Sequence, residues 1–264
     1  MEQHALFVFD LDGVITNPTD SSVDHVTIEH IYKLLEDGTY VAINTGRPYA
    51  WVQTNLLGTL ESMGGHAMFD HLYIVCEKGG ESLVWSDGDF RPQPSRFALS
   101  EESMTACKRF FDDNAEDFNT MFWDNDKLTM ATIEKRPEAD LGEFKKQQQD
   151  LAERLRKLFD GQEVRIDTTT IATDVELPSA GKHAGAELVY EWTRQHHDAE
   201  HAAFMCFGDS KSDYEMARYF ADQGNVATFI FVGKKEDTFE EHEGVTLVRT
   251  NALYAAGTRE FLGE

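Results

Sequence analysis

Cysteine is scarce. Cys76, Cys107 and Cys206 are the only three in 264 residues, odd in number and far apart, with no CxxC pair and no Cys/His cluster. This excludes a disulfide framework and a zinc site, and leaves three reduced core thiols as expected in a reducing, cytoplasmic compartment. Long apolar runs are absent too: none approaches the roughly 18–20 residues that span a bilayer. The N-terminal stretch Met1 to Phe9 carries Glu2 and no basic segment before its short apolar run, so it does not read as a signal peptide. Proline numbers only six, and there is no proline-rich linker, internal repeat or low-complexity tract. Positive charge is the most telling shortage. Against 48 Asp and Glu stand 24 Lys and Arg, a formal net charge of -24. Such a field favours solubility and repels nucleic acid and anionic membranes, so neither is an expected partner. It would also repel a phosphorylated ligand unless a local cation reversed the sign.

What is present suffices for a packed protein. Hydrophobic residues make up 41% and aromatics 11%, and the length fits one large domain or two modest ones. Ala5–Phe9 is a short continuous apolar run, the pattern of a strand buried on both faces. A helical pattern from Ser22 to Asp37 follows, then a strand at Tyr40–Asn44, a helix at Pro48–Met63 and a strand at Leu72–Cys76. This alternation predicts a parallel sheet. After Gly79 and Gly80 the rhythm changes: Glu81–Trp85, a helix near Glu101–Phe111, a polar strand region at Thr120–Glu134, a charged helix at Glu138–Phe159 and strands in Glu163–Glu176. Helix-after-strand alternation resumes from His183. The expectation is an α/β core of residues 1–80 and 181–264 with an α+β insert, residues 81–180.

Four short motifs carry candidate chemistry. Asp10-Leu11-Asp12-Gly13-Val14 directly follows the first strand, at the kind of carboxyl edge where open α/β sheets bind ligands. Alone it reads equally well as a solvated turn. Asn44-Thr45-Gly46-Arg47-Pro48 combines a hydroxyl, a glycine NH and a helix start, an anion cradle or simply a capped turn. Gly208-Asp209-Ser210-Lys211-Ser212-Asp213 follows another apolar strand and places Asp209 and Asp213 one helical turn apart. Lys182 heads the helix after the insert. His196, His197 and His201 sit among acids and read as solvated surface.

In this order and at these positions the motifs resemble those of the haloacid dehalogenase superfamily, matched by Asp10/Asp12, Thr45, Lys182 and Asp209/Asp213. The resemblance implies a Rossmann-like parallel-sheet core. The long insertion between the second and third motifs resembles the C2-type α/β cap of the subgroup with sugar-phosphate phosphatases and phosphomannomutases. Two positions depart from many relatives: His183 follows the motif lysine, and Ser212 precedes the final aspartate. The resemblance implies a phosphatase acting on a small phosphorylated metabolite such as a sugar phosphate, with Asp10 as nucleophile and an aspartyl-phosphate intermediate. Asp12 would be general acid and then base, its carboxyl raised by crowding among other acids. Mg²⁺ would be held by Asp10, Asp12 through its carbonyl, and Asp209, with Asp213 beside it. Thr45, Gly46, Arg47 and Lys182 would bind the phosphoryl group. A phosphosugar mutase using the same aspartates, or a non-catalytic regulatory protein, are the alternatives. Trp85, Trp123, Lys127, Arg136 and Arg165 are the insert's candidates for substrate contact. Oligomeric state is not legible.

Overall fold

The computed structural model describes residues 5–64, 66–196 and 203–263, which exclude His197 and His201. By the density of its contacts the chain divides into two compact units, Met1–Gln93 with Gly181–Glu264, and Pro94–Ala180.

The first unit is built on an eight-stranded sheet. Its strands are β1 (Ala5–Phe9), β2 (Val41–Asn44), β3 (Leu72–Cys76), β4 (Glu81–Ser86), β5 (Asp89–Pro94), β10 (Ala203–Gly208), β11 (Val226–Phe231) and β12 (Val245–Arg249), in the order β12-β11-β10-β1-β2-β3-β4-β5. The six from β12 to β3 run parallel, and β4 turns back antiparallel on β3. Central strands are apolar along their whole length because helices cover both faces of such sheets. All five residues of β3 are buried, and the Phe9 and Phe207 rings stack 4.5 Å apart across β1 and β10. Helix α1 (His25–Glu36) starts where the Asp24 carboxylate accepts the Thr27 N–H at 2.9 Å. Its buried Thr27, Ile28, Ile31 and Leu35 recur at helical spacing. Beyond Pro48, α2 (Tyr49–Val52) passes through a π-helical turn at Gln53–Leu57 into α3 (Gly58–Met63). Three more helices follow in this unit, α6 (Lys182–His196), α7 (Lys211–Asp222) and α8 (Ala255–Leu262).

The insert therefore begins later than expected. β4 and β5 belong to the large sheet, because the apolar first half of β4 pairs with β3, and Asp87–Gly88, both at positive φ, close a two-residue hairpin. A strand at 89–94 goes unforeseen, since the run Arg91-Pro92-Gln93-Pro94 is polar and holds two prolines, which leaves little strand character in the sequence. Trp85 accordingly packs in the first unit, against Phe69 and Phe90.

The second unit has a four-stranded antiparallel sheet in the order β6 (Met121–Trp123), β7 (Ala131–Lys135), β9 (Ala172–Glu176), β8 (Arg165–Thr168). Helices α4 (Glu101–Asp113) and α5 (Leu141–Leu158) are capped by Ser100 and Asp140. They bury Cys107, Phe111, Phe144, Leu151 and Leu155 with Met121, Ala131, Ile133 and Val175 of the sheet. Alternation puts Thr132, Glu134, Asp167 and Asp174 on the opposite, polar face, where the Thr132 hydroxyl donates to Asp174 at 2.8 Å. Arg165 is bound within this unit, to Glu176 at 2.5 Å and to the Ala180 carbonyl at 2.8 Å. No helix among the described residues is long and apolar enough to cross a membrane.

Candidate active site

Strand order reverses between β1 and β10: the chain runs from β1 toward β3 on one side and from β10 toward β12 on the other. A crevice at the carboxyl ends of such neighbours is the usual ligand site of an open α/β sheet. Phe9 is level with Phe207, so Asp10 and Asp209 emerge side by side at that point. Asp10 is anchored by its N–H, which donates to the Phe207 carbonyl at 3.0 Å. Carboxylate oxygens of Asp10, Asp209 and Asp213 lie within 4.8 Å of one another.

Lys182 is the cation among them. Its ammonium donates to Asp10 and to the Asn44 carbonyl, the latter at 2.6 Å, and lies 3.0 Å from Asp213 Oδ1. Asp213 is fully engaged, since its other oxygen accepts from the Ser210 N–H at 3.0 Å and hydroxyl at 2.6 Å. It is thus a helix cap and a lysine partner at once. Ser212, one of the two departures from the family pattern, pairs its hydroxyl with that of Ser210 at 2.9 Å.

Burial dominates the electrostatics. It pushes the Asp10 carboxyl up to about 8, with Lys182 opposing and Asp213 reinforcing it. Asp209 is raised to about 6 by burial and by Asp213. Burial alone would lower Lys182, but Asp10 and Asp213 hold it above its ordinary value. Asp12 is near enough to add its charge to the raising of both Asp10 and Asp209, and it is itself clasped by Arg47, whose Nε donates at 3.0 and 3.1 Å and Nη2 at 2.6 Å. The same guanidinium reaches the Ser21 hydroxyl at 3.0 Å and lies 4.9 Å over the Trp51 ring.

Between the turn of the first motif and Asp209, space is minimal. Gly13 sits at φ +74, and a Cβ there would lie 2.5 Å from Asp209 Oδ2. Only glycine lets the turn approach that carboxylate. Thr45 is buried, and its hydroxyl accepts the Arg47 N–H at 3.0 Å.

Most residues expected from the motifs meet here: Asp10, Lys182, Asp209 and Asp213 in one cluster, Asp12 with Arg47, and Thr45–Gly46 following Asn44. The motif reading misses the turn after β3. Glu77 and Lys78 both adopt positive φ, which is uncommon for such residues and concentrates at functional sites. Their N–H groups donate to the Arg47 and Thr45 carbonyls, each at 3.1 Å, while the Lys78 carbonyl accepts the Gly181 N–H at 2.8 Å. One turn thereby ties the second motif to the start of α6. The Glu-Lys-Gly-Gly sequence after an apolar strand is its only trace. All three cysteines are buried and none forms a disulfide, as expected, with burial pushing the Cys107 thiol up to about 12.

Residues 7–81 match the family of haloacid dehalogenase-like hydrolases. No curated protein matches the chain. Among solved structures, a haloacid dehalogenase-like hydrolase from Bacteroides thetaiotaomicron aligns with a TM-score of 0.66 at 15% identity, covering 98% of each chain. The C-terminal domain of C. albicans trehalose-6-phosphate phosphatase gives 0.68 at 14%, covering 99% of this chain and 92% of that one. Trehalose-6-phosphate phosphatase from Aspergillus fumigatus gives 0.59 at 19%, covering 98% and 92%. Identities this low speak for a shared fold, and that fold is the one the motifs implied.

Proposed function

We propose that this chain, which has the fold of the haloacid dehalogenase-like hydrolases and their N-terminal motif segment, is a Mg²⁺-dependent phosphatase of small phosphorylated metabolites. The observation that carries the reading is the part-buried cluster of Asp10, Lys182, Asp209 and Asp213 at the reversal of strand order. An all-carboxylate donor set suits a hard cation such as Mg²⁺, not the zinc that thiolate and imidazole favour. Asp10 and Asp209 are its ligands in this proposal, since both oxygens of Asp213 are engaged by Ser210 and Lys182. Bound there, the ion would supply positive charge to the phosphoryl oxygens and hold Asp10 ionised.

Asp10 attacks phosphorus, and the bond to the leaving oxygen breaks as the aspartyl-phosphate forms. Lys182, with the Thr45 hydroxyl and Gly46 N–H, neutralises charge on the transferring oxygens. Asp12 protonates the departing alkoxide, then takes a proton from the water that cleaves the intermediate. In the free protein Arg47 occupies the Asp12 carboxylate. A phosphoryl dianion competes for the same guanidinium, so substrate arrival is what frees Asp12 for proton transfer.

A sugar phosphate is the favoured substrate class. Two of the structural neighbours are named for trehalose 6-phosphate, and the sheet face of the second unit that lies opposite its helices is polar, with Thr132, Glu134, Asp167 and Asp174. Residues 94–180 are accordingly assigned the role of specificity domain. The test is phosphate release from a panel of phosphorylated metabolites with Mg²⁺, alongside Asp10→Asn. Release that needs Mg²⁺ and vanishes in Asp10→Asn with an unchanged circular dichroism spectrum supports the reading. Release that survives exhaustive chelation or the Asp10 substitution overturns it.

A further inference from the structure

Asn44 ends β2 in a fully buried position and is joined to Lys182 twice. Its side-chain Nδ2 donates to the Lys182 carbonyl at 2.8 Å, while the Lys182 ammonium donates to the Asn44 carbonyl at 2.6 Å. The two bonds run in opposite senses across 138 residues of sequence, so they fix both the backbone and the tip of the lysine relative to one strand end. A second feature shows that this arrangement is enforced. Gly185 lies on the next turn of α6, and a Cβ there would fall 2.1 Å from Asn44 Oδ1 and 2.5 Å from Nδ2. The backbone of α6 has no left-handed requirement at this position, so helix geometry gives no reason for glycine, which is among the poorest helix formers. Absence of a side chain is what lets the amide in.

Asn44 Oδ1 is moreover buried with no hydrogen-bond partner among the described residues. Such an orphan acceptor is unfavourable, and an apolar residue at the strand end would avoid it. The amide is retained for what its nitrogen does.

We propose that Asn44 and Gly185 form a latch that positions Lys182 against Asp10. Asn44 is a positioning residue acting through the lysine. The inference rests on the reading above only in assigning Lys182 to the transferring phosphoryl group; the latch itself is a statement about where the ammonium is held.

The experiment therefore reads the ammonium directly as well as the reaction. In the full-length protein, acetylation of Lys182 by a water-soluble acetylating reagent is followed by peptide mass spectrometry in wild type, Asn44→Ala, Gly185→Ala and the double variant. Only the free amine reacts, so a lysine pinned between Asp10 and Asp213 reacts slowly. Losing the latch should speed its acetylation about fivefold or more, the equilibrium worth of one net hydrogen bond, while other lysines keep their rates. Phosphate release should lose about 10- to 100-fold in kcat, as misplacement of a catalytic group does, with a smaller change in KM. Gly185→Ala should add nothing in the Asn44→Ala background, because its methyl group enters the space the amide vacated. Unchanged Lys182 acetylation in Asn44→Ala, or fully additive effects in the double variant, overturns the latch even if activity falls. Faster acetylation in a protein that hydrolyses no phosphate monoester leaves the latch standing and overturns the phosphatase reading. Should Gly185→Ala fail to fold, Asn44→Ala alone still decides by its Lys182 acetylation rate.

Discussion

Binding of Mg²⁺ should displace protons, and the number is set by the two carboxyls that would hold the ion. With Asp10 at about 8, roughly 0.9 of its sites are protonated at pH 7; with Asp209 at about 6, roughly 0.1 are. A metal binds only the ionised carboxylates, so uptake should release about one proton at pH 7, about two at pH 5 and close to none above pH 9. Affinity follows by linkage. It should fall about tenfold per pH unit between pH 8 and 6 and more steeply below pH 6, where the second carboxyl also protonates. Calorimetric titration of Mg²⁺ in buffers of different ionisation enthalpy measures the proton count as the slope of apparent enthalpy against buffer enthalpy. Asp209→Asn should abolish binding, whereas Asp213→Asn should weaken it less because that side chain serves Lys182 and Ser210. A slope of zero at pH 7 with tight binding would refute the argument, since it would mean that Asp10 is already ionised without the ion or is not a ligand.

Two further outcomes follow from single carboxyls. Glu81 is buried, has one oxygen without a hydrogen-bond partner among the described residues, and is raised from 4.5 to about 7 by burial with Glu77 adding to it. Its stabilising contribution is complete below pH 4.5 and lost as pH rises through 7, so Glu81→Gln should stabilise the protein by about 2–3 kcal/mol at pH 8.5 and hardly at pH 5 in urea unfolding; an equal effect at both values counts against it. Asp12→Ala should slow aspartyl-phosphate formation from an alkyl phosphate by about 10²–10⁴-fold but far less from an aryl phosphate, whose leaving group departs without a proton. Breakdown should slow for both, giving a burst with the aryl substrate in rapid-quench measurements; equal slowing of the first step removes Asp12 from the acid role.

The first unit was largely legible because its physics is local. Strands buried on both faces appear as unbroken apolar runs, and acids immediately after such runs mark the sheet's carboxyl edge. Asp10 and Asp209 could be found this way, and Lys182 by its place in the motif order. What was not legible depends on contacts between distant segments. Nothing near Asp12 in sequence indicates that Arg47 would clasp it, 35 residues on. Asn44 reads as the polar end of a strand, and Gly185 as a weak point in a helix, until the fold brings one against the other. The domain boundary failed for a related reason: β4 has the apolar start of any half-buried strand, and only pairing with β3 assigns it to the large sheet. The polar β5 carries two prolines, Pro92 and Pro94, and is edge-strand material that composition does not reveal.

Charge fixes the order in which the proposed reaction can assemble. The whole chain carries a formal charge of -24, and at the site three carboxylates face a single ammonium. Once Asp10 ionises, as it must to attack phosphorus, they leave two negative charges, while Asp12 and Arg47 cancel each other. At about 5 Å and an effective dielectric constant of about 20, each pair of like charges repels by about 3 kcal/mol, so a phosphoryl dianion meets a barrier that one lysine does not remove. A divalent ion held by Asp10 and Asp209 would bring the cluster to neutrality and let Lys182 and the Thr45–Gly46 turn act as net attraction. In the proposed reaction metal would therefore precede substrate. The scarcity of basic residues that marks the sequence would then be no obstacle to the proposed phosphate chemistry, because the positive charge that reaction needs would be borrowed with the ion, and the protein's own contribution would be to hold one lysine where it counts.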